Sequence, residues 1–245
     1  MNKKKFIGLI LLLTSACSLP ASTPEVKPAP TQAPLPTPET VSVTPSLAPT
    51  ETAVPTPEPP PLYFTDEFDT SSSYWEFTQA GGAAPPTPSF ENGALRIDIS
   101  SPDTWLVGVH NVNSYENVFV RAQTALNPGG SVGLLCRYSE GGWYEFNTSN
   151  NGTYSLLLGQ WLSPGVAKYI PILNDKSNQL AGASNNEIGL FCQDNFLQLF
   201  VNGVMIRRVE VTNYGLAEGR IGISASSFAE IPMSAIFEWV RVSLE

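Results

Sequence analysis

Histidine is almost missing from this chain of 245 residues, and basic residues are scarce. The single histidine, His110, has no Gly-x-Ser-x-Gly elbow to accompany it, so a serine-type triad is not indicated. Three cysteines, Cys17, Cys136 and Cys192, stand far from one another and from His110 without metal-ligand spacing, which argues against zinc. Thirteen Lys and Arg against 22 Asp and Glu leave a net charge of −9. With no basic stripe to follow a phosphate backbone, nucleic acid is not an expected partner. The longest N-terminal apolar run, Phe6 to Leu13, is far short of the ~20 residues that span a bilayer. No window of a dozen residues carries a helical apolar stripe, which excludes helical architectures.

What is present divides the chain into three. Residues 1–16 combine Lys3, Lys4 and Lys5, the short apolar run, and the small residues Ser15 and Ala16, the pattern of an export signal. Leu13-Thr14-Ser15-Ala16-Cys17 resembles the lipobox of bacterial lipoproteins, which implies lipidation of Cys17 and anchoring to the outer side of a bacterial membrane. Residues 17–62 hold 14 of the 22 prolines, in steps such as Thr37-Pro38 and Thr44-Pro45. Proline removes amide donors and biases its predecessor toward extended backbone, so this stretch is expected to be a disordered polyproline-like spacer. Charges up to Leu62 cancel, so the acidity belongs to residues 63–245, a length suited to one domain.

From Tyr63 the pattern becomes period two with closely spaced turns. About a dozen strands are expected, punctuated by Asn92-Gly93, Asn150-Asn151-Gly152, Asp194-Asn195 and Asn202-Gly203, residues that tolerate the positive φ of hairpin tips. This predicts an all-β, two-sheet antiparallel sandwich or barrel. A tip at Asn202-Gly203 opposes Val201 to Val204 and Leu199 to Ile206, placing Leu197, Leu199, Val201, Val204 and Ile206 on one buried face; a tip at Asp194-Asn195 then opposes Cys192 to Leu197. In the ribbon Gly133 to Leu158, a three-residue loop Glu140 to Gly142 puts Leu134, Cys136, Tyr138, Tyr144 and Phe146 inward. Two inward cysteines in an exported chain are expected to form a disulfide, Cys136 to Cys192.

The same loop puts Arg137, Trp143, Glu145 and Asn147 in an outward row, with Arg137 across from Glu145. A two-residue tip would break that row by opposing Arg137 to Tyr144. An aromatic face with planar polar groups beside it suits a sugar ring, and Trp105, Trp161 and His110 are candidates to border the strip. The competing reading is an exposed cross-strand ion pair beside a partly buried tryptophan.

Several segments carry a family resemblance. Phe64-Thr65-Asp66-Glu67-Phe68-Asp69 followed by Trp75, Phe90-Glu91-Asn92-Gly93-Ala94-Leu95-Arg96-Ile97, and Gly133-Leu134-Leu135-Cys136-Arg137-Tyr138 resemble the concanavalin A-like lectin/glucanase fold. Trp143-Tyr144-Glu145-Phe146, Leu197 to Gly203, Gly219-Arg220-Ile221-Gly222 and Phe237 to Val242 continue it. The likeness is to laminin-G-like domains of bacterial surface lipoproteins and 3-keto-disaccharide hydrolase-like jelly rolls, and it implies a jelly roll over most of residues 63–245. The fold hosts lectins, glycosidases and adhesion modules alike. The Glu-x-Asp-x-x-Glu pattern of the glucanase branch is absent, so the paired carboxylates of glycoside hydrolysis are not in place. No cofactor is expected; a structural calcium bridging the first and last strands would meet Glu238 where the family usually has aspartate. The combined expectation is a lipid-anchored, non-catalytic surface module that binds a polysaccharide or glycoconjugate, touching the membrane through its anchor only. The alternatives are a hydrolase acting on a modified sugar and an adhesion or assembly module.

Overall fold

The computed structural model describes residues 61–71, 73–127, 129–180 and 182–245, all within the compact unit Pro55–Glu245. The expected export signal, Cys17 and the expected proline-rich spacer up to residue 60 lie outside the described residues. Fifteen strands and one short 3-10 turn, Thr212–Tyr214, make up the elements. In chain order the strands are β1 (Phe64–Asp66), β2 (Trp75–Gly81), β3 (Thr87–Phe90), β4 (Leu95–Ile99), β5 (Thr104–His110), β6 (Val118–Leu126), β7 (Gly130–Ser139) and β8 (Gly142–Thr148). They continue with β9 (Thr153–Ser163), β10 (Val166–Lys176), β11 (Asn185–Gln193), β12 (Phe196–Val201), β13 (Val204–Glu210), β14 (Arg220–Ser227) and β15 (Met233–Ser243).

Two antiparallel sheets form a jelly-roll sandwich. One runs β13-β12-β11-β6-β15-β4-β3 with β1 also paired to β15; the other runs β10-β9-β8-β7-β14-β5-β2. Between them lies the main core, in which alternate residues such as Val118, Val120 and Ala122 on β6 face Leu134, Phe146, Leu156 and Ile223 of the second sheet. β2 and β3, which the apolar alternation did not predict, are edge strands with few buried residues; Pro88 on β3 and Pro171 on β10 are tolerated because an edge has an amide row with no neighbour to serve.

The hairpin tips behave as their residue types require. Asn202 and Gly203 both have positive φ, 51° and 75°, and Val201 pairs with Val204. Cys192 pairs with Leu197, and Leu197, Leu199 and Val201 are fully buried. The expected partnership of Leu199 with Ile206 is not formed: a bulge beyond Val204 pairs Leu199 with Arg207, and on this outermost strand Val204 is 47% exposed. Cys136 on β7 and Cys192 on β11 form the expected disulfide, tying one sheet to the other across 56 positions of sequence. Chain entropy over a loop of that length gives about 4 kcal/mol. Replacing both cysteines by alanine should therefore lower the unfolding free energy by about that amount, measured by urea titration against the oxidised protein.

Candidate functional site

The second sheet has an outer face that is not bare. Its two edge strands meet where the Gly81 N–H donates to the Gly165 carbonyl at 3.3 Å, joining the end of β2 to the tip of the β9–β10 hairpin. Because the inner face is occupied by the other sheet, this closure curls the second sheet over its own outer face. Val107, Val109, Leu135 and Trp143 become a second, smaller apolar cluster there, with Tyr138, Trp161, Ala167 and Tyr169 packed against it.

The allocation of side chains to this face turns on one extra residue in β7. Ser139 pairs with Gly142, leaving a two-residue tip, while Cys136 pairs with Tyr144 and Leu135 with Glu145. The bulge between them places Arg137 in the left-handed region, φ 54°, and reverses the alternation for two residues. Tyr138, expected inward, therefore joins the outer aromatic cluster. Arg137, expected in the outward row, turns away and is 2% exposed; its guanidinium donates to the main-chain carbonyls of Leu216 (2.8 Å), Glu116 (3.2 Å) and Asp194. Burial lowers its pKa, against the raising pull of Tyr144 and Asp194.

Trp143, Glu145 and Asn147 do share the outer face, but under the curl they are buried, not presented. The Trp143 indole lies over Gly159 of β9, where any side chain would overlap it, and is stacked by Tyr138 and Trp161 at 5.3 Å each. Its N–H donates to Glu145 Oε2 at 2.8 Å, and the Ser224 hydroxyl donates to Oε1 at 2.7 Å. Glu145 is fully buried and faces no cation within salt-bridge reach, so desolvation raises its pKa against the pull of these hydrogen bonds. Around it, Trp105 and Asn147 also turn toward the Glu145 carboxyl and help hold its pKa down, though Trp105 Nε1 and Asn147 Nδ2 fall short of full hydrogen-bond geometry, and Tyr169 Oη is buried with no partner among the described residues. Trp161 is half-buried at the Trp143 end, its N–H donating to the Tyr138 hydroxyl at 2.7 Å.

At the other end of the face the curl leaves an opening. A recess of about 430 Å³ is lined by Trp105, Asn147, Leu157, Asn174, Asp175, Lys176 and Phe228, among others. Trp105 and Asn174 come from β5 and β10, far apart in strand order, and only the curvature brings them to one cleft. The Trp105 ring packs against Tyr169 at 5.1 Å and meets Phe228 edge-on at 5.9 Å, while Phe228 is 43% exposed at the rim. Sequence reasoning found Trp105 and Asn147 but missed Asn174, Asp175, Lys176 and Phe228. Those four sit in ordinary polar or loop contexts, and nothing local marks them.

His110 stands elsewhere. It ends β5 on the inner-facing alternation, 1% exposed, in a nest of rings formed by Phe64 (4.6 Å), Trp75 (5.3 Å) and Tyr74 (5.8 Å). Desolvation pushes its pKa down to about 4, against the raising effect of Asp66. Glu238 is exposed on β15, and no grouping of three or more metal-ligating side chains occurs among the described residues.

No family model and no curated protein matches the sequence. Solved structures do. A β-glucanase of Bacillus licheniformis aligns with a TM-score of 0.53 at 15% identity, over 74% of this chain and 97% of that one. A β-1,3-1,4-glucanase (lichenase) from a mouse hindgut metagenome aligns with 0.54 at 12% identity, covering 75% and 99%. A Bacillus subtilis protein of unknown function with a galectin-like fold gives 0.52 at 12% identity, covering 74% and 94%. The fold is that of the concanavalin A-like jelly rolls. At these identities the likeness concerns architecture, and the residues of the cleft must be read on their own.

Two measurements check these placements. Trp143→Ala, which empties the centre of the outer cluster, should cost about 3–5 kcal/mol in unfolding free energy. His110 is the chain's one histidine, and its imidazole resonance should report the neutral ring until the pH nears 4. Between about pH 6.5 and 4 the unfolded chain binds a proton that the folded one refuses, so stability should fall as pH drops through that window. The loss is up to about 3 kcal/mol, less what screening removes where the ring borders a recess, and His110→Phe should flatten it.

Proposed function

We propose that this chain is a non-catalytic carbohydrate-binding module of the bacterial cell surface, exported through residues 1–16, anchored by lipid on Cys17, and carried on the spacer of residues 17–62 as the domain 63–245. The observation that carries the reading is the cleft at the open end of the curled sheet. Its floor holds Trp105 and Asn147, and its rim holds Phe228 beside the exposed Asn174, Asp175 and Lys176. Apolar ring surface flanked by a few donors and acceptors is what a pyranose asks of a binding site. Glucanases among the structural neighbours support a carbohydrate-related role at the level of fold.

Of the residues first expected to bind, Trp105 and Asn147 keep a direct part in this proposal. Trp143, Glu145 and Trp161 support the wall behind them, whereas Arg137 and His110 lie away from the cleft. Hydrolysis needs two carboxyl groups placed across a glycosidic bond. Glu145 is buried behind the cleft and does not line it, and the carboxylate that does, Asp175, is exposed on an edge strand.

Affinity electrophoresis of the full chain through gels containing plant and microbial polysaccharides tests the reading. Retention by at least one polysaccharide is expected, with Trp105→Ala and Lys176→Ala each weakening it by about tenfold or more, equivalent to 1.4 kcal/mol. Lys176→Ala should leave the thermal midpoint within about 2 °C of the parent. Release of new reducing ends would replace this reading with the hydrolase, and failure to be retained by any polysaccharide would replace it with the assembly module.

A further inference from the structure

At the end of the sandwich opposite the Trp105 cleft, a second recess of about 520 Å³ opens beside β1. Its lining includes Phe64, Asp66, Glu67, Asp69, Tyr74 and His110, and contains no lysine or arginine. Phe64 and Tyr74 are half-buried, and their rings flank the His110 imidazole at 4.6 and 5.8 Å. His110 itself is 1% exposed, and its Nδ1 has no hydrogen-bond partner among the described residues. His110 lines the recess, and a buried ring nitrogen left without a partner is an unmet polar contact.

The three carboxylates are placed differently from one another. Asp66 is fixed from within, accepting from the Trp75 indole at 2.8 Å through Oδ2 and from the Phe68 amide at 2.9 Å through Oδ1. Glu67 and Asp69 are exposed at the mouth. They do not converge into a set of metal ligands, so a small hard cation, which demands several oxygens at about 2.0–2.6 Å, is poorly served. A larger, diffuse cation has the opposite needs: ring faces for its apolar shell and negative charge at a looser distance. Arg241, which donates to Thr65 Oγ1 at 3.1 Å, packs over Trp239 and is not part of the lining.

We propose that this recess binds an organic ammonium group, seated against Phe64, Tyr74 and the neutral ring of His110 and neutralised by Asp66, Glu67 and Asp69. The imidazole is neutral at ordinary pH because burial lowers its pKa to about 4, so it does not repel such a guest. This site is separate from the Trp105 cleft, and its ligand could be a primary amine or a quaternary ammonium.

Because the chain has a single histidine, the site contains its own reporter. The full-length chain, labelled with 13C-histidine, is titrated with choline chloride, n-butylammonium chloride, neutral 3,3-dimethylbutan-1-ol and calcium chloride, at constant pH and ionic strength. A saturable shift of the His110 resonance is expected with choline, with butylammonium or with both, half-saturating on the order of 1 mM, and the choline and butylammonium arms separate the two kinds of ammonium. The double variant Glu67→Gln/Asp69→Asn changes only exposed side chains and should raise the half-saturation concentration severalfold. The proposal is overturned if neither ammonium moves the resonance, if the neutral isostere moves it equally, if calcium alone moves it, or if the double variant binds as the parent does. Polysaccharide retention plays no part in this readout, so either reading can fail without the other.

Discussion

A single extra residue in β7 governs how this molecule uses its second sheet. Alternation along a strand is rigid, and a bulge is the ordinary way to break it without ending the strand. Here it sends Arg137 to the end of the sandwich and Tyr138 to the outer face. Arg137 then gathers the carbonyls of Glu116, Asp194 and Leu216, which belong to three separate connections. A buried cation held through its two terminal nitrogens by main-chain carbonyls, its Nε left without a partner among the described residues, ties those connections together, since losing any of them would strand more of the charge in a desolvated setting. The disulfide lies alongside, with Cys136 next to Arg137 and Cys192 two residues before Asp194. Covalent and polar clamps thus secure the same end of the two sheets.

The outer face follows from a second constraint, the meeting of the β2 and β10 edges. Curling lets a seven-stranded sheet bury residues on both faces, and it explains why Trp143 and Glu145 are inaccessible although no element among the described residues is stacked on them. A carboxyl group kept there away from any cation is expensive when ionised. The indole of Trp143 and the hydroxyl of Ser224 offset part of that cost, and the raised pKa offsets more by favouring the neutral form. Along the same face the packing changes from sealed, around Trp143 and Trp161, to open, around Trp105 and Phe228. The polar rim of the open end comes from β10, whose last residues, Asn174 to Lys176, are exposed.

The two recesses at opposite ends of the sandwich differ in chemistry. One combines indole and phenyl surface with amides, a carboxylate and an amine; the other combines rings with carboxylates and, among the described residues, no lysine or arginine. His110 joins the second to the core, and its environment of Phe64, Tyr74 and Trp75 makes it a neutral aromatic in practice.

Much of the architecture was legible from local pattern. Period-two alternation with Asn-Gly and Asp-Asn tips specified an all-β antiparallel sandwich or barrel, and the parity of Cys192 against Leu197 and of Cys136 within Leu134 to Phe146 placed both cysteines in the core. Those are short-range consequences of strand geometry, in which each residue's face is set by its neighbours. The outward side of Trp143, Glu145 and Asn147 was legible for the same reason, but their burial was not. Whether an outward residue meets solvent depends on strands distant in sequence closing over it, and on Gly159 making room for an indole. Arg137 and Tyr138 exchanged roles because a bulge costs one residue and leaves no compositional mark. The cleft of Trp105, Asn147 and Lys176 and the recess of Phe64, Asp66 and His110 are likewise products of tertiary structure alone, for curvature and strand order decide which distant side chains share a wall.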